Sequence, residues 1–370
     1  MLEVCILAYM KGLILSGGAG TRLRPITHTS AKQLVPIANK PILFYGIEAL
    51  AAAGVNEIGI IIGETGDEVR EAVGDGSKWD VTVSYIPQDD PLGLAHCVLI
   101  AENFLGDDDF IMYLGDNMLE QGLTEMVDRF SAERANDQLD CRILLKKVEN
   151  PQSFGVATTD ASGRVTGLIE KPKNPPSDLA LVGVYLFSPA IHKAVKAIAP
   201  SNRGELEITD AIQWLIDDGK VIGHDILNGW WIDTGKKDPL LECNKLILET
   251  LDTSIDPSST IDHNSKIEGT VQIGSGTKII GSSLCGPSAI GDNVEIVNTQ
   301  IGPYTSIGDN CRIIDGVISN SVLLRGCSIE HSGFISNSLL GRSSQVRNSP
   351  SRDQITLMLG DDSVVEIPGE

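Results

Sequence analysis

Arg22 and Lys32 stand at fixed distances behind a run of glycines, Ser16-Gly17-Gly18-Ala19-Gly20-Thr21. Three glycines in four positions allow a tight turn and let backbone N–H groups approach an anion closely. Bare donors backed by an arginine and a lysine suit a polyphosphate. Asp116, in Leu114-Gly115-Asp116-Asn117, and Asp233, in Trp231-Ile232-Asp233-Thr234-Gly235, are carboxylates placed just after apolar runs. Such a carboxylate can hold Mg2+, a hard cation that takes few carboxylates plus substrate phosphates. Equally, Asp and Asn at such a point cap a helix. Gln88, five residues before Gly93, can present an amide to a base edge or belong to an ordinary turn. Glu170 and Lys171 are adjacent, so on a strand they point to opposite faces. They serve one ligand only if Pro172 or a bulge redirects the chain; otherwise they are a charged strand end. Arg203 stands just outside an expected helix start that runs to Asp210 with acidic residues in its first turn.

These groups need a scaffold to bring them together. Leu13-Ile14-Leu15 is apolar without alternation, as expected of a parallel strand covered on both faces. Apolar residues at helical spacing over Ile42 to Ala53 end at Gly54. A strand over Glu57 to Ile62, a helix over Glu64 to Val73 and a strand over Val81 to Ile86 follow. Further strands are expected over Phe110 to Leu114, Cys141 to Val148, Val165 to Ile169 and Leu181 to Leu186. This order predicts an α/β, Rossmann-like domain with a mixed, mostly parallel sheet and right-handed crossovers. Ligands then bind at the carboxyl ends of the strands.

Beyond Ser254 the pattern changes. Isoleucines recur six apart at 255, 261, 267, 273 and 279, and Ile273, Ile290 and Ile307, each followed by glycine, are 17 apart. That period predicts a hexapeptide-repeat left-handed β-helix with one inward apolar residue per side of each coil. The repeat fades towards Val346. The expected division is a catalytic domain over 10–250, the β-helix over 251–350, and a C-terminal strand and tail over 351–370.

The chain has 370 residues, 29 basic and 50 acidic side chains, a net charge of −21 and a 42% apolar fraction. So acidic a surface argues against sequence-independent nucleic-acid binding, which needs a positive field. No apolar run reaches the length of a membrane span. Seven cysteines, odd in number and without C-x-x-C, argue against zinc or a disulfide framework and for a reducing, cytoplasmic setting. The first nine residues lack a basic n-region and a cleavage site, and Met10 reads as the natural start.

No Gly-Lys-Ser/Thr follows the glycines, which excludes a Walker A loop, and Leu23 stands where a dinucleotide fingerprint needs its third glycine. The full string G-G-x-G-T-R-L-x-P, with Lys32-Gln33-Leu34-Val35-Pro36 downstream, instead closely resembles the nucleotidyltransferases that make nucleoside diphosphate sugars. The resemblance is strongest to the glucose-1-phosphate thymidylyltransferases in their long form, and the remaining motifs follow in order over residues 12 to 245. It implies dTTP, or UTP, and glucose 1-phosphate as substrates, with Mg2+ as cofactor. It assigns the nucleotide to Leu15, Gly17, Gly18, Gly20, Thr21, Arg22, Gln33, Gln88 and Gly93. It assigns the sugar phosphate to Asn117, Gly155, Glu170, Lys171, Leu181 and Arg203. Asp116 and Asp233 would hold the metal, while Arg22 and Lys32 would act on the phosphates. Phe154 departs from the Tyr-Gly that family members commonly carry, so any hydroxyl contact is lost.

Two other classes compete. A regulatory module could keep the pocket without turnover, against which the intact Arg22, Lys32, Asp116 and Asp233 speak. A bifunctional enzyme could carry acyl transfer on the β-helix, for which only His263 and His331 are available as bases. The expected role of the β-helix is support and homo-oligomer formation.

Overall fold

The central strand, Met10–Ser16, has neighbours on both sides. It pairs parallel with Glu57–Ile62 and with Asp109–Leu114, and Leu13 and Ile14 are fully buried. Burial on both faces is why its sequence shows no alternation. The computed structural model describes residues 10–18, 20–136, 139–161, 163–347 and 354–367. The reading of Met10 as the natural start concerns residues 1–9, which lie outside the described residues, as does Ala19 of the glycine loop. The chain forms two compact units, one of Met1–Ala19 with Leu43–Trp231, the other of Gly20–Ile42 with Ile232–Glu370.

The first unit holds a nine-stranded sheet. Met10–Ser16, Glu57–Ile62, Thr82–Pro87 and Asp109–Leu114 form its parallel half. The other half turns on Leu179–Phe187, which runs antiparallel to Asp109–Leu114 and to Cys141–Lys147, with a register shift between Leu181 and Tyr185. Val165–Glu170 pairs antiparallel with Gly155–Thr159 at the edge. The α/β, mixed-sheet expectation holds. Helices Leu94–Ile100, Ile191–Ala197 and Ile208–Asp217 contribute to one apolar core with Phe110, Phe187 and Ile143. The helix start expected just after Arg203 is displaced: Ser201 N donates to Glu205 O at 2.8 Å and Gly204 N to Ser201 O at 2.8 Å, a turn that delays the helix to Ile208.

In the second unit the isoleucine period becomes three parallel ladders. Ile273, Ile290, Ile307, Leu323, Leu340 and Leu359 face one another in register along one. Ile261, Ile279, Ile296, Ile313, Ile329, Val346 and Val365 form the second. Ile267, Leu284, Ile301, Ile318, Ile335 and Ile355 form the third. Three ladders of stacked apolar residues make the continuous core of a β-helix. The stack runs past Val346 through Met358–Leu359 and Val364–Glu366, one coil further than the legible repeat.

Candidate active site

In the first unit, the end of the central strand meets the turn that carries Asp116, since Gly115 N donates to Leu15 O at 3.0 Å. Asp116 does not cap a helix. It leads into the short strand Asn117–Leu119, and the next helix begins only at Thr124. Asn117 fixes the carboxylate, its Nδ2 donating to Asp116 Oδ1 at 3.1 Å. Asn117 is itself held twice. Trp231 Nε1 donates to its Oδ1 at 2.6 Å, and Tyr113 Oη donates to its carbonyl at 2.7 Å. Phe154, the departure from tyrosine, packs on Trp231 with ring centroids 5.0 Å apart. The lost hydroxyl leaves an aromatic contact in place.

Gln88 is buried beside Gly17, with its Oε1 only 2.8 Å from where a Cβ on Gly17 would lie. Its Nε2 stands 3.1 Å from His96 Nδ1 and donates to Cys97 Sγ at 3.2 Å. Burial pushes the Cys97 thiol up to about 12, so it is a neutral neighbour. Gly18 is exposed. Gly93 has φ +108, and a Cβ there would meet the Leu206 carbonyl at 2.4 Å. Packing against Leu206 thus already requires glycine at 93.

The condition set on Glu170 and Lys171 is met. Lys171 adopts a left-handed φ of 40°, which turns the chain at the strand end. Its Nζ then lies 3.3 Å from Glu170 Oε1, and Arg203 Nη1 reaches the same oxygen at 3.3 Å. Thr209 Oγ1 donates to Glu170 Oε2 at 3.4 Å. Gly155 pairs with Glu170 across the strands, and Leu181 Cδ1 is 3.6 Å from where its Cβ would be. Arg203 also pairs with Glu205, whose hydrogen bond holds the guanidinium above its ordinary range, and with Glu207 at 3.7 Å. Burial in turn raises the Glu207 and Asp210 carboxyls. Glu170, Lys171, Arg203, Gly155 and Leu181 form one cluster.

The second unit carries the other residues. Gly20 is left-handed, and its carbonyl accepts from Thr27 Oγ1 at 2.7 Å. A Cβ on Gly20 would lie 2.9 Å from Lys32 Cβ, so the lysine stem packs on this turn. Thr21 and Arg22 form one short 3-10 turn, Lys32 and Gln33 another. Arg22 Nη2 pairs with Asp233 Oδ2 at 3.2 Å, and Gly235 N donates to Asp233 Oδ1 at 2.9 Å. A Cβ on Gly235 would lie 2.7 Å from Arg22 Nη2, so a larger residue there would push the guanidinium aside. Gln33 is buried, and its Oε1 has no hydrogen-bond partner. A buried acceptor left unsatisfied is costly and suits a ligand donor.

Sequence reasoning missed Trp231 and Ser16. The first is one of two adjacent tryptophans, and its partner Asn117 is remote in sequence. The second ends the central strand with a buried Oγ that has no partner, and an ordinary serine gives no signal of that. Among the described residues no group of three or more His, Cys, Asp or Glu gathers to hold a metal. Asp116 in the first unit and Asp233 in the second each offer hard oxygen donors, the kind that a hard cation accepts when phosphates complete its shell.

Residues 11–250 match the nucleotidyl transferase family, and residues 284–367 match the GMPPB C-terminal domain. A glucose-1-phosphate thymidylyltransferase of Streptomyces griseus is 52% identical over 97% of this chain and 99% of its own length. A second, from Streptomyces antibioticus, is 55% identical over 75% of this chain and 77% of its own. Among solved structures, a putative glucose-1-phosphate thymidylyltransferase from Bacillus anthracis in complex with a sucrose is 33% identical, with a TM-score of 0.60. It covers 66% of this chain and 97% of its own. With both the motif residues and the family match in place, the chain belongs to the nucleotidyl transferase family, alongside the glucose-1-phosphate thymidylyltransferases.

Proposed function

We propose that this chain joins dTTP and glucose 1-phosphate to give dTDP-glucose and pyrophosphate. A phosphate oxygen of glucose 1-phosphate attacks the α-phosphorus of dTTP. The bond from that phosphorus to the bridging oxygen breaks, and pyrophosphate leaves with that oxygen. Such a displacement asks for positioning and charge neutralisation rather than covalent chemistry by the protein. Arg22 and Lys32 meet the triphosphate, which Leu15, Gly17, Gly18, Gly20, Thr21 and Gln33 line, while Gln88 and Gly93 face the base. Lys171 and Arg203 hold the attacking phosphate, and Asn117, Gly155, Glu170 and Leu181 the sugar. Asp116 and Asp233 are the carboxylates for Mg2+, which when bound neutralises phosphate charge as a Lewis acid. The observation that carries the sugar-phosphate assignment is the turn at Lys171, since it gathers Glu170, Lys171 and Arg203 within 3.3 Å contacts of one carboxylate oxygen.

The β-helix supports the enzyme without chemistry and offers a surface for self-association into a homo-oligomer. His331 and His263 are both exposed; Asp315 beside His331 Nδ1 at 3.0 Å leaves its Nε2 free, but neither ring stands in a cleft where it would be poised as a base. The six cysteines among the described residues are free thiols, in keeping with a cytoplasmic enzyme. No helix of the described residues is long and apolar enough to cross a membrane.

A kinetic matrix of dTTP, UTP, ATP and GTP against several sugar 1-phosphates, read by pyrophosphate release with and without Mg2+, tests the reading. The expected maximum is dTTP with glucose 1-phosphate. A maximum with UTP would move the base specificity, since one methyl in an apolar pocket discriminates by only about 1–3 kcal/mol. No pyrophosphate from any pair would overturn the reading. Release of CoA from acetyl-CoA with an amino-sugar phosphate would overturn the supporting role of the β-helix.

A further inference from the structure

We propose that the last coil of the β-helix fastens the phosphate-binding loop, and that Asp361 is a positioning residue for nucleotidyl transfer. The segment Gly20–Ile42, which carries Arg22, Lys32 and Gln33, is part of the same compact unit as the β-helix. It is tied to the stack at two levels. At the C-terminal level, Asp361 Oδ2 accepts from Thr29 Oγ1 at 2.8 Å and from Ser30 Oγ at 3.3 Å. The other oxygen, Oδ1, accepts from Arg342 N at 2.7 Å, so the preceding coil fixes the carboxylate. Gly360, beside it, lies against the loop: a Cβ there would come within 3.1 Å of Pro25 Cβ.

At the lower level, Asn39 Nδ2 donates to Ile307 O at 2.9 Å and to Ala289 O at 3.2 Å. Ala38 N donates to Oδ1 of the buried Asn244 at 2.9 Å, an oxygen that also accepts from Ser306 Oγ at 2.7 Å. Ile307, Leu323, Leu340 and Leu359 stack row on row between the two anchor levels. At about 4.8 Å per row this separates the anchors by roughly 14 Å. The loop is thus laid along the stack and pinned at its apex, with Thr29 and Ser30 between Arg22 and Lys32.

The consequence follows from how positioning enters catalysis. A loop of 3-10 turns has few backbone hydrogen bonds of its own, and misplacing a phosphate-binding cation by 1 Å can cost about 100-fold in rate. Removing Asp361 leaves Thr29 and Ser30 without their acceptor at the apex. Asp361 touches no reacting atom and acts through the loop. This inference rests on the reading of Arg22 and Lys32 as phosphate ligands.

The test uses the full-length chain. In Asp361→Ala, kcat with dTTP and glucose 1-phosphate should fall about 10- to 100-fold, the KM for glucose 1-phosphate should stay within about twofold, and the fold should persist by circular dichroism. Asp361→Asn, which keeps an acceptor oxygen, should recover a large part of the loss. Thr29→Val should reproduce part of it, and the double variant should lose less than the product of the two single losses. Hydrogen exchange without substrate gives a readout independent of activity: amides of residues 20–34 should lose protection in Asp361→Ala, while those of the central coils should not. Unchanged kcat and unchanged exchange in folded Asp361→Ala overturn the proposal. Multiplicative losses in the double variant also overturn it. If wild-type enzyme turns over no substrate pair but the exchange effect is present, the functional reading fails and the fastening stands.

Discussion

Arg22 Nη2 and Asp233 Oδ2 form an ion pair at 3.2 Å across 211 residues of sequence. Both side chains are substantially exposed, and exposed pairs add little stability. The pair therefore orients the guanidinium rather than holding the fold. Arg22→Ala should keep the melting temperature close to that of the wild type while lowering kcat by roughly 10²–10³-fold, by analogy with losing one donor to transition-state charge. Arg22→Lys should restore only a part, because a point charge does not reproduce a planar fork. Near-normal turnover in folded Arg22→Ala, measured by pyrophosphate release, would sink the role.

Trp231 supports Asp116 at one remove. Its indole N–H donates to Asn117 Oδ1 at 2.6 Å, and Asn117 Nδ2 donates to Asp116 Oδ1 at 3.1 Å. Trp231→Phe keeps a ring against Phe154 but leaves the Asn117 oxygen without that donor. A hydrogen bond of this kind is worth about 1 kcal/mol net, so kcat/KM should drop by roughly fivefold and the Mg2+ concentration for half-maximal rate should rise. An unchanged Mg2+ titration in Trp231→Phe would show that the indole does not orient the carboxylate.

Much of this architecture was legible because it rests on period and local chemistry. The isoleucine spacing maps onto the three ladders directly, as Ile273, Ile290 and Ile307 illustrate. The repeat stops being legible after Val346 because the step from Leu340 to Leu359 is longer than that from Ile273 to Ile290. At the site, the sequence could state that Glu170 and Lys171 needed a redirected chain, but a left-handed φ at a lysine leaves no mark in composition. The Trp231–Asn117 and Asp361–Thr29 bonds span 114 and 332 residues. Only the fold brings such pairs together, so no window along the chain could reveal them.

His192 gives the first unit a pH dependence. Its ring is buried and stacks on Phe110 with centroids 6.2 Å apart. Burial holds its pKa below the ordinary value, against the opposing pull of Glu102 and Asp107 and with the help of Lys196. The unfolded chain therefore binds this proton at higher pH than the folded one. Stability should be at its full value above the ordinary histidine pKa of about 6.5 and decline as pH falls below it. Urea denaturation between pH 8 and pH 5 should show that decline, and His192→Phe should flatten it. A variant with the same slope as wild type would place the effect elsewhere.

The sugar-phosphate cluster predicts a gain rather than a loss. Arg203 is shared among Glu170, Glu205 and Glu207, so its fork is occupied by carboxylates before any phosphate arrives. Glu170 is also bonded by Thr209 and paired with Lys171, and Glu207 accepts from Ser201 Oγ at 2.8 Å, so both are built into the fold. Glu205 has neither tie through its carboxylate among the described contacts, and it competes most directly for the guanidinium. Glu205→Gln removes that charge at constant size. An incoming phosphate then displaces a neutral amide instead of an anion, a difference of about 0.5–1 kcal/mol for a partly exposed pair. The KM for glucose 1-phosphate should fall by roughly two- to fivefold with kcat and the KM for the nucleotide unchanged. Arg203→Ala should raise the same KM, and Glu205→Gln in that background should have no further effect. A rise in KM in Glu205→Gln alone would mean that the carboxylate positions Arg203 for phosphate rather than competing with it.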